Sequence, residues 1–293
     1  MARRRILFGT NEALFRSMHR RACDDPRSPP DWDRFDPGAL DPVVREELRR
    51  AWSARVVAEY RSMAVFSALI GRLPEAGMPV EVTAATARLL QDEARHTELC
   101  SRLAEALGGA HDATVAPADT RLTDESLRAE LFIARWTLSM MCVGECASVG
   151  LLKALSEVAE DPCVRRVLET LLRDEVLHDR LGWALAREIV PRLSDEEREW
   201  LGADLSFSFA HYDRIHGRGL RRDGDPLPDD VPRADGAEAL GLVSSERYAR
   251  AWYERLDTVI VPQICALGLP AREAWALRHE AAAAVDPTSI PQG

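Results

Sequence analysis

Lysine is almost missing from this 293-residue chain: Lys153 is the only one, and arginine carries nearly all the positive charge. The bias is that of a GC-rich coding genome and implies no chemistry. Acidic residues are in excess, with a formal net charge of −10. That disfavours nucleic acid as a partner, because phosphate recognition draws on clustered Lys and Arg. The cysteines Cys23, Cys100, Cys142, Cys146, Cys163 and Cys265 form no C-x-x-C pair. Their scatter excludes a secreted disulfide scaffold and an iron–sulfur motif, and reads as reduced thiols in the cytoplasm. The basic cluster at the start is followed by too short an apolar run for a signal-peptide core. No apolar run approaches the ~20 residues of a membrane span, so no membrane is expected. Period-two alternation is absent, and no G-x-G-x-x-G follows a strand.

Helical punctuation, in contrast, is plentiful. The hydrophobic fraction of 46% can fill a sizeable core. Residues 1–40, rich in Arg, Asp and Pro, read as an irregular leader. Asp41-Pro42 caps a first helix that closes between Gly71 and Pro74. A second is predicted from Val80 to Leu107, a third from Thr123 to Ala159, and a fourth from Asp161-Pro162 to just before Pro191. Ser194-Asp-Glu-Glu197 has the capping-box form and opens a fifth, through about Ile215. Gly217 to Gly241 reads as a long loop or lid. Two more helices follow, Ser244 to Leu267 with a kink near Pro262, and Pro270 to about Ala284. The fold class is all-α, with residues 41–190 as a four-helix unit and residues 191–293 as additional helices and a loop covering it.

The buried face of a bundle helix recurs in steps of three and four. That stepping gives Trp52, Val56, Glu59, Met63, Phe66, Ile70 in the first helix. The second gives Leu89, Glu93, His96, Cys100, Leu103. The third gives Leu131, Arg135, Leu138, Cys142, Glu145, Val149, Leu152, and the fourth Leu168, Leu171, Glu175, His178, Gly182, Leu185. Each stripe is mostly apolar, yet each carries a carboxylate near its middle. Four buried carboxylates would each cost several kcal/mol if ionised without partners. Two divalent metal ions remove the conflict, because four carboxylates balance two dications and two neutral imidazoles complete the shell. Glu93 with His96, and Glu175 with His178, are spaced to share one helix face. Their surroundings repeat as Leu-Leu-x-Asp-Glu-x-x-His, at Leu89 to His96 and Leu171 to His178. Oxygen-rich ligation with two imidazoles suits iron or manganese better than zinc or copper.

This pattern of one Glu, E-x-x-H, one Glu, E-x-x-H resembles the ferritin-like di-iron carboxylate superfamily, whose fold is a four-helix bundle. The resemblance implies Glu59, Glu93, His96, Glu145, Glu175 and His178 as ligands of two Fe ions, with an Mn/Fe pair also allowed. It further implies Glu93 and Glu175 as bridging ligands, and Glu59 and Glu145 as more nearly terminal. Asp92-Glu-Ala-Arg-His96 is similar to the D-E-x-R-H string of acyl carrier protein desaturases and bacterial multicomponent monooxygenases. There the aspartate accepts from a ligand histidine of the opposite helix and the arginine pairs with it, which assigns supporting roles to Asp92, Asp174 and Arg95.

Within the superfamily, the radical tyrosine of ribonucleotide reductase small subunits is replaced here by Cys100, as it tends to be in the monooxygenases. Cys100 also reads as a small apolar filler. Ferritin subunits are shorter, and the Cys-rich module usual in rubrerythrins is absent. Extra helices over the bundle suit a substrate pocket. The expected function is a di-iron oxygenase that uses O2 to hydroxylate or N-oxygenate a small organic substrate, with a rubrerythrin-like peroxidase or ferroxidase as the alternative. Electrons are expected from an external reductase or ferredoxin, and a homodimer is allowed. The seventh ligand of aminoarene N-oxygenases is replaced by Leu171. His211, beside Phe207, Phe209 and Tyr212, reads as an ordinary histidine before a ligand.

Overall fold

Most of the long helices begin where a side chain takes over their unpaired N–H groups. Asp41 accepts from Val43 N and starts α1 (Pro42–Glu75), with Pro42 needing no donor partner. Helix α2 (Val80–Ala106) follows Pro79 and ends at Gly108 and Gly109, both at positive φ. Helix α3 runs over Ala129–Val158. Asp161 accepts from Cys163 N and Val164 N at the start of α4 (Pro162–Ile189). Ser194 and Glu197 close a capping box on α5 (Asp195–Tyr212). Ser244 caps α6, which comprises Ser245–Arg255, a π turn over Leu256–Ile260 and Val261–Ala266. Helix α7 spans Ala271–Ala284. This computed structural model describes residues 3–8, 13–14, 17–19, 30–122, 126–222 and 224–284. Cys23 and the expected helix start at Thr123 lie outside them.

The chain is all-α, and its elements follow the expected order. The kink expected near Pro262 takes the form of the π turn just before it, since proline offers no N–H to the preceding turn. The leader is less irregular than its composition suggests. Arg4–Arg5 pairs antiparallel with Thr114–Val115, and Ile6 is buried beside the same elements. Two residues are too few for alternation to show in sequence. The stretch read as a loop or lid is fastened at its far end. The 3-10 turn Ala237–Leu240 buries Ala237 and Leu240, and Ala239 O accepts from Glu160 N and Asp161 N at 2.9 and 3.0 Å. Gly241 sits there at φ 78°, where a Cβ would come within 3.1 Å of Leu168.

Two apolar cores form. One joins Phe66 and Leu69 of α1, Leu89 of α2, most of α3 and the C-terminal half of α4 to α5, α6 and α7. The other joins Trp52 and Val56 of α1, Leu99 and Leu103 of α2, Leu152 of α3 and Leu168 and Leu171 of α4. Glu59, Glu93 and Glu175 fall between the two on α1, α2 and α4, whereas on α3 Glu145 lies among residues of the first. Helices α5 and α6 pack on α3, and α7 packs on α5. By length and composition α3 could cross a membrane, with a mean hydropathy of 1.5 over its most apolar window, although 61% of that window is buried. Thr137, Ser139 and Glu145 interrupt the apolar run, so it is visible as an average and not as a continuous stretch.

Helix α3 departs from its expected stripe. A π segment occupies Thr137–Glu145, and Cys146 N–H reaches back five residues to Met141 O. The extra residue rotates the two halves of the helix against each other. Arg135 and Val149, placed on the buried stripe by strict periodicity, are consequently only half-buried. Arg135 instead donates to Asp204 of α5 at 2.9 and 3.0 Å.

Candidate metal centre

The six side chains singled out in the sequence converge. Glu59, Glu93, His96 and Glu175 form one group and Glu93, Glu145, Glu175 and His178 a second, each with one ligand-capable atom per residue within 4.8 Å of the others. Glu93 and Glu175 belong to both groups. His96 Nδ1 lies 3.5 Å from Glu59, 3.9 Å from Glu93 and 3.4 Å from Glu175. His178 Nδ1 lies 3.1 Å from Glu93, 3.6 Å from Glu145 and 3.5 Å from Glu175. The two imidazoles stack at 5.7 Å, and the Phe66 ring meets His178 edge-on at 5.9 Å. Glu59 is the most open of the six, its side chain 12% exposed.

Both Glu93 oxygens, Glu145 Oε1, Glu175 Oε2, His96 Nδ1 and His178 Nδ1 are buried without a hydrogen-bond partner. Buried polar atoms are normally paired, and here six unpaired ones face each other. Their protonation shows the strain. Burial pushes the Glu93 carboxyl up to about 8, and it carries Glu145, beside Glu175, well above the carboxylate range. Burial works on Glu175 too, but the charge of His178 and the closeness of Glu145 and His96 outweigh it and hold Glu175 well below that range. Burial opposes the charging of His96 and His178, and the acids around them overcome it, keeping both imidazoles protonated well above their ordinary range. Two dications would fit the same donor set and neutralise it.

The outer groups cross between helices. His96 Nε2 on α2 donates to Asp174 Oδ2 on α4 at 3.2 Å, which turns Nδ1 toward the carboxylates. His178 Nε2 lies 3.7 Å from Asp92 Oδ2. Arg95 Nη2 donates to both aspartates, to Asp92 Oδ1 and Asp174 Oδ2, each at 2.5 Å. Burial raises these two carboxyls less than their partners lower them: His178 and Arg88 at Asp92, His96 and Arg95 at Asp174. Both stay ionised, and Asp174 orients the His96 imidazole.

Sequence reasoning missed three participants. Arg88 donates to both Asp92 oxygens at 3.0 and 3.1 Å, one turn away on the same helix, a spacing that was available in the sequence. Arg173 donates to Asp174 Oδ1 at 3.3 Å. Tyr212 places its hydroxyl against Gly144, beside Glu145, and no periodicity links those positions. His211 is in neither ligand group. It packs edge-on to Tyr212 at 5.1 Å, and burial, with the charges of Arg214 and Arg61, lowers it to about 4. The cysteines of the described residues are free thiols. Burial pushes Cys100 above the range of a reactive thiolate.

Fold and site together define a class: an all-α protein with a buried Glu and His cluster able to hold metal ions. No family model matches the chain, and no curated protein matches it.

Proposed function

We propose that the chain is a ferritin-like di-iron protein that uses O2 to oxygenate a small organic substrate. The observation that carries the reading is the pair of four-residue groups sharing Glu93 and Glu175, because two metals with common carboxylate bridges need such an overlap. The donor set of four carboxylates and two imidazoles favours iron. Two ferrous ions held there would supply electrons for reducing O2. The chain's own groups do the rest. Asp174 holds the outward nitrogen of His96, so the inward one keeps its lone pair for a metal, and Asp92 stands 3.7 Å from the outward nitrogen of His178. Arg95 and Arg88 keep those aspartates charged. The apolar cores on both sides exclude water from the cluster.

Helices α5, α6 and α7 support the choice of oxygenation over iron storage, since they add a wall that storage does not require. Among the described residues no cysteine cluster offers an internal iron–sulfur relay, and an external reductase or ferredoxin fits that lack. The test is anaerobic loading with Fe(II), elemental analysis, and exposure to labelled O2 with a reductant and a panel of amines, aromatic acids and acyl compounds. About two ions per chain and label in one organic product are expected. One ion at most, or zinc retained in preference to iron, overturns the site. Catalytic oxidation of many Fe(II) equivalents, or fast peroxide reduction, with no organic compound having any effect, moves the protein to the ferroxidase or peroxidase class.

A further inference from the structure

A cavity of about 380 Å³ opens between α6, α7 and the start of the 217–241 loop, and none of the six candidate metal ligands lines it. That volume is in the range of small-molecule sites. Four guanidinium groups line it, Arg221 and Arg222 from the loop and Arg272 and Arg278 from α7, against one carboxylate, Asp257 of α6. In a chain with a formal net charge of −10, this hollow is a local reversal of sign, and a cleft lined by cations concentrates anions.

Two of the four are held by the protein. Arg221 donates to Asp257 Oδ2 at 2.7 Å and to Asp225 O at 3.2 Å, and its guanidinium lies 5.1 Å from the Tyr253 ring centre. Arg278 is only 1% exposed; it donates to Asp213 Oδ2 and to Trp275 O, each at 2.8 Å, and stacks 3.6 Å from the Trp275 ring centre. Arg222 and Arg272 are exposed, and neither side chain meets a carboxylate among the described residues. The backbone that carries Arg222 is nonetheless set. Asp225 N donates to Arg222 O at 3.1 Å, Arg222 N donates to Asp225 Oδ2 at 3.2 Å, and Gly224 takes the positive φ of 86° that the turn needs. The rest of the lining is largely apolar. Arg272, Trp275 and Ala276 recur at three and four along one face of α7, and α6 adds Val261 and Pro262.

We propose that this cavity binds the phosphate monoester of a small organic molecule. Two guanidinium groups without acids match one dianion, and a phosphate monoester carries about −1.5 to −2 at pH 7 where a carboxylate carries a single charge. Its oxygens accept from the planar forks of Arg222 and Arg272, in the field of the anchored Arg221 and Arg278. The organic body packs on Trp275, Val261 and Pro262. The site is separate from the metal cluster, and its occupation does not depend on metal uptake.

Calorimetric titration of the full chain in phosphate-free buffer tests it with phenyl phosphate and adenosine monophosphate, each against its uncharged parent, phenol or adenosine. At least one ester should bind saturably and about tenfold more tightly than its parent, as expected for charge-assisted hydrogen bonds. The same ester should raise the thermal midpoint, because it binds the folded chain alone. Arg222→Gln with Arg272→Gln should remove the preference for ester over parent. Arg180→Gln with Arg187→Gln, exposed on α4 and outside the lining, should keep it, with the thermal midpoint of each unliganded variant checking that it folds. No saturable binding by either ester, equal affinity for ester and parent, or an equal loss in both double variants overturns the site. Uptake by vesicles containing phosphatidic acid, with no binding of either soluble ester, overturns it as well, since that pattern marks a membrane contact in place of a small-molecule site.

Discussion

His96 Nε2 and Asp174 Oδ2 are 3.2 Å apart, whereas the reciprocal pair, His178 Nε2 and Asp92 Oδ2, stands at 3.7 Å. The helix pairs repeat in sequence, but their supports do not. Arg95 spans both aspartates, while the residue in its place in the second copy, Leu177, is exposed. Asp174→Asn is therefore expected to weaken Fe(II) binding by about 10–100-fold, the range for groups that orient a ligand histidine. Asp92→Asn should cost less. Fe(II) titration calorimetry on both variants decides, and a larger loss for Asp92→Asn would reverse the assignment.

The overlap of the two ligand groups predicts unequal roles for the acids. Glu93→Gln or Glu175→Gln should lower occupancy at both metal positions, because each residue serves both groups. Glu59→Gln and Glu145→Gln should each leave one position occupied. Elemental analysis after loading reads the difference directly. Four variants with the same stoichiometry would remove the distinction between shared and unshared ligands.

Close approach of α3 and α4 sets a stability test away from the ligands. A Cβ on Gly182 would fall 2.6 Å from Met141 Cβ and 3.2 Å from Met141 C, in the π segment. Backbone cannot yield as a flexible side chain can, so Gly182→Ala should destabilise the protein by about 1–3 kcal/mol. Urea unfolding at equal metal loading measures it; an unchanged midpoint would mean that the π segment moves freely.

Gly182 also marks the limit of what the sequence could say. It lies on the legible stripe of α4, with Glu175 and His178, because a straight helix keeps its period. The partner across from it was not legible. The π turn in α3 shifts the register, and no local residue type announces such an insertion. Glu145 was still found, since the rotation leaves it buried while moving Arg135 and Val149 outward. The crossing of Asp92 and Asp174 to opposite histidines came from resemblance, not from spacing. The meeting of Tyr212 and His216 with Tyr248 and Trp252 was illegible for a different reason: each pair is spaced four apart on its own element, and no local residue shows that the two elements face each other.

Metal uptake should expel protons, and the sign follows from the charges of the cluster. Burial holds Glu93 up to about 8 and Glu145 well above its ordinary value, and the surrounding acids keep His96 and His178 protonated. Glu175 is already ionised. Near pH 7 the metal-free cluster thus holds about four protons that ligation must displace, because only carboxylates and neutral imidazoles bind the metal. Anaerobic mixing with Fe(II) in a weakly buffered indicator solution should release about four protons per chain, and apparent affinity should rise as the pH increases. Raising the pH past about 8 ionises Glu93 in advance, so fewer protons should appear there. Zinc, used as a redox-inert control, should release the same number, which separates ligand deprotonation from any oxidation of iron. An affinity independent of pH, with no proton release, would mean that the metals bind elsewhere and that the buried acids keep their protons.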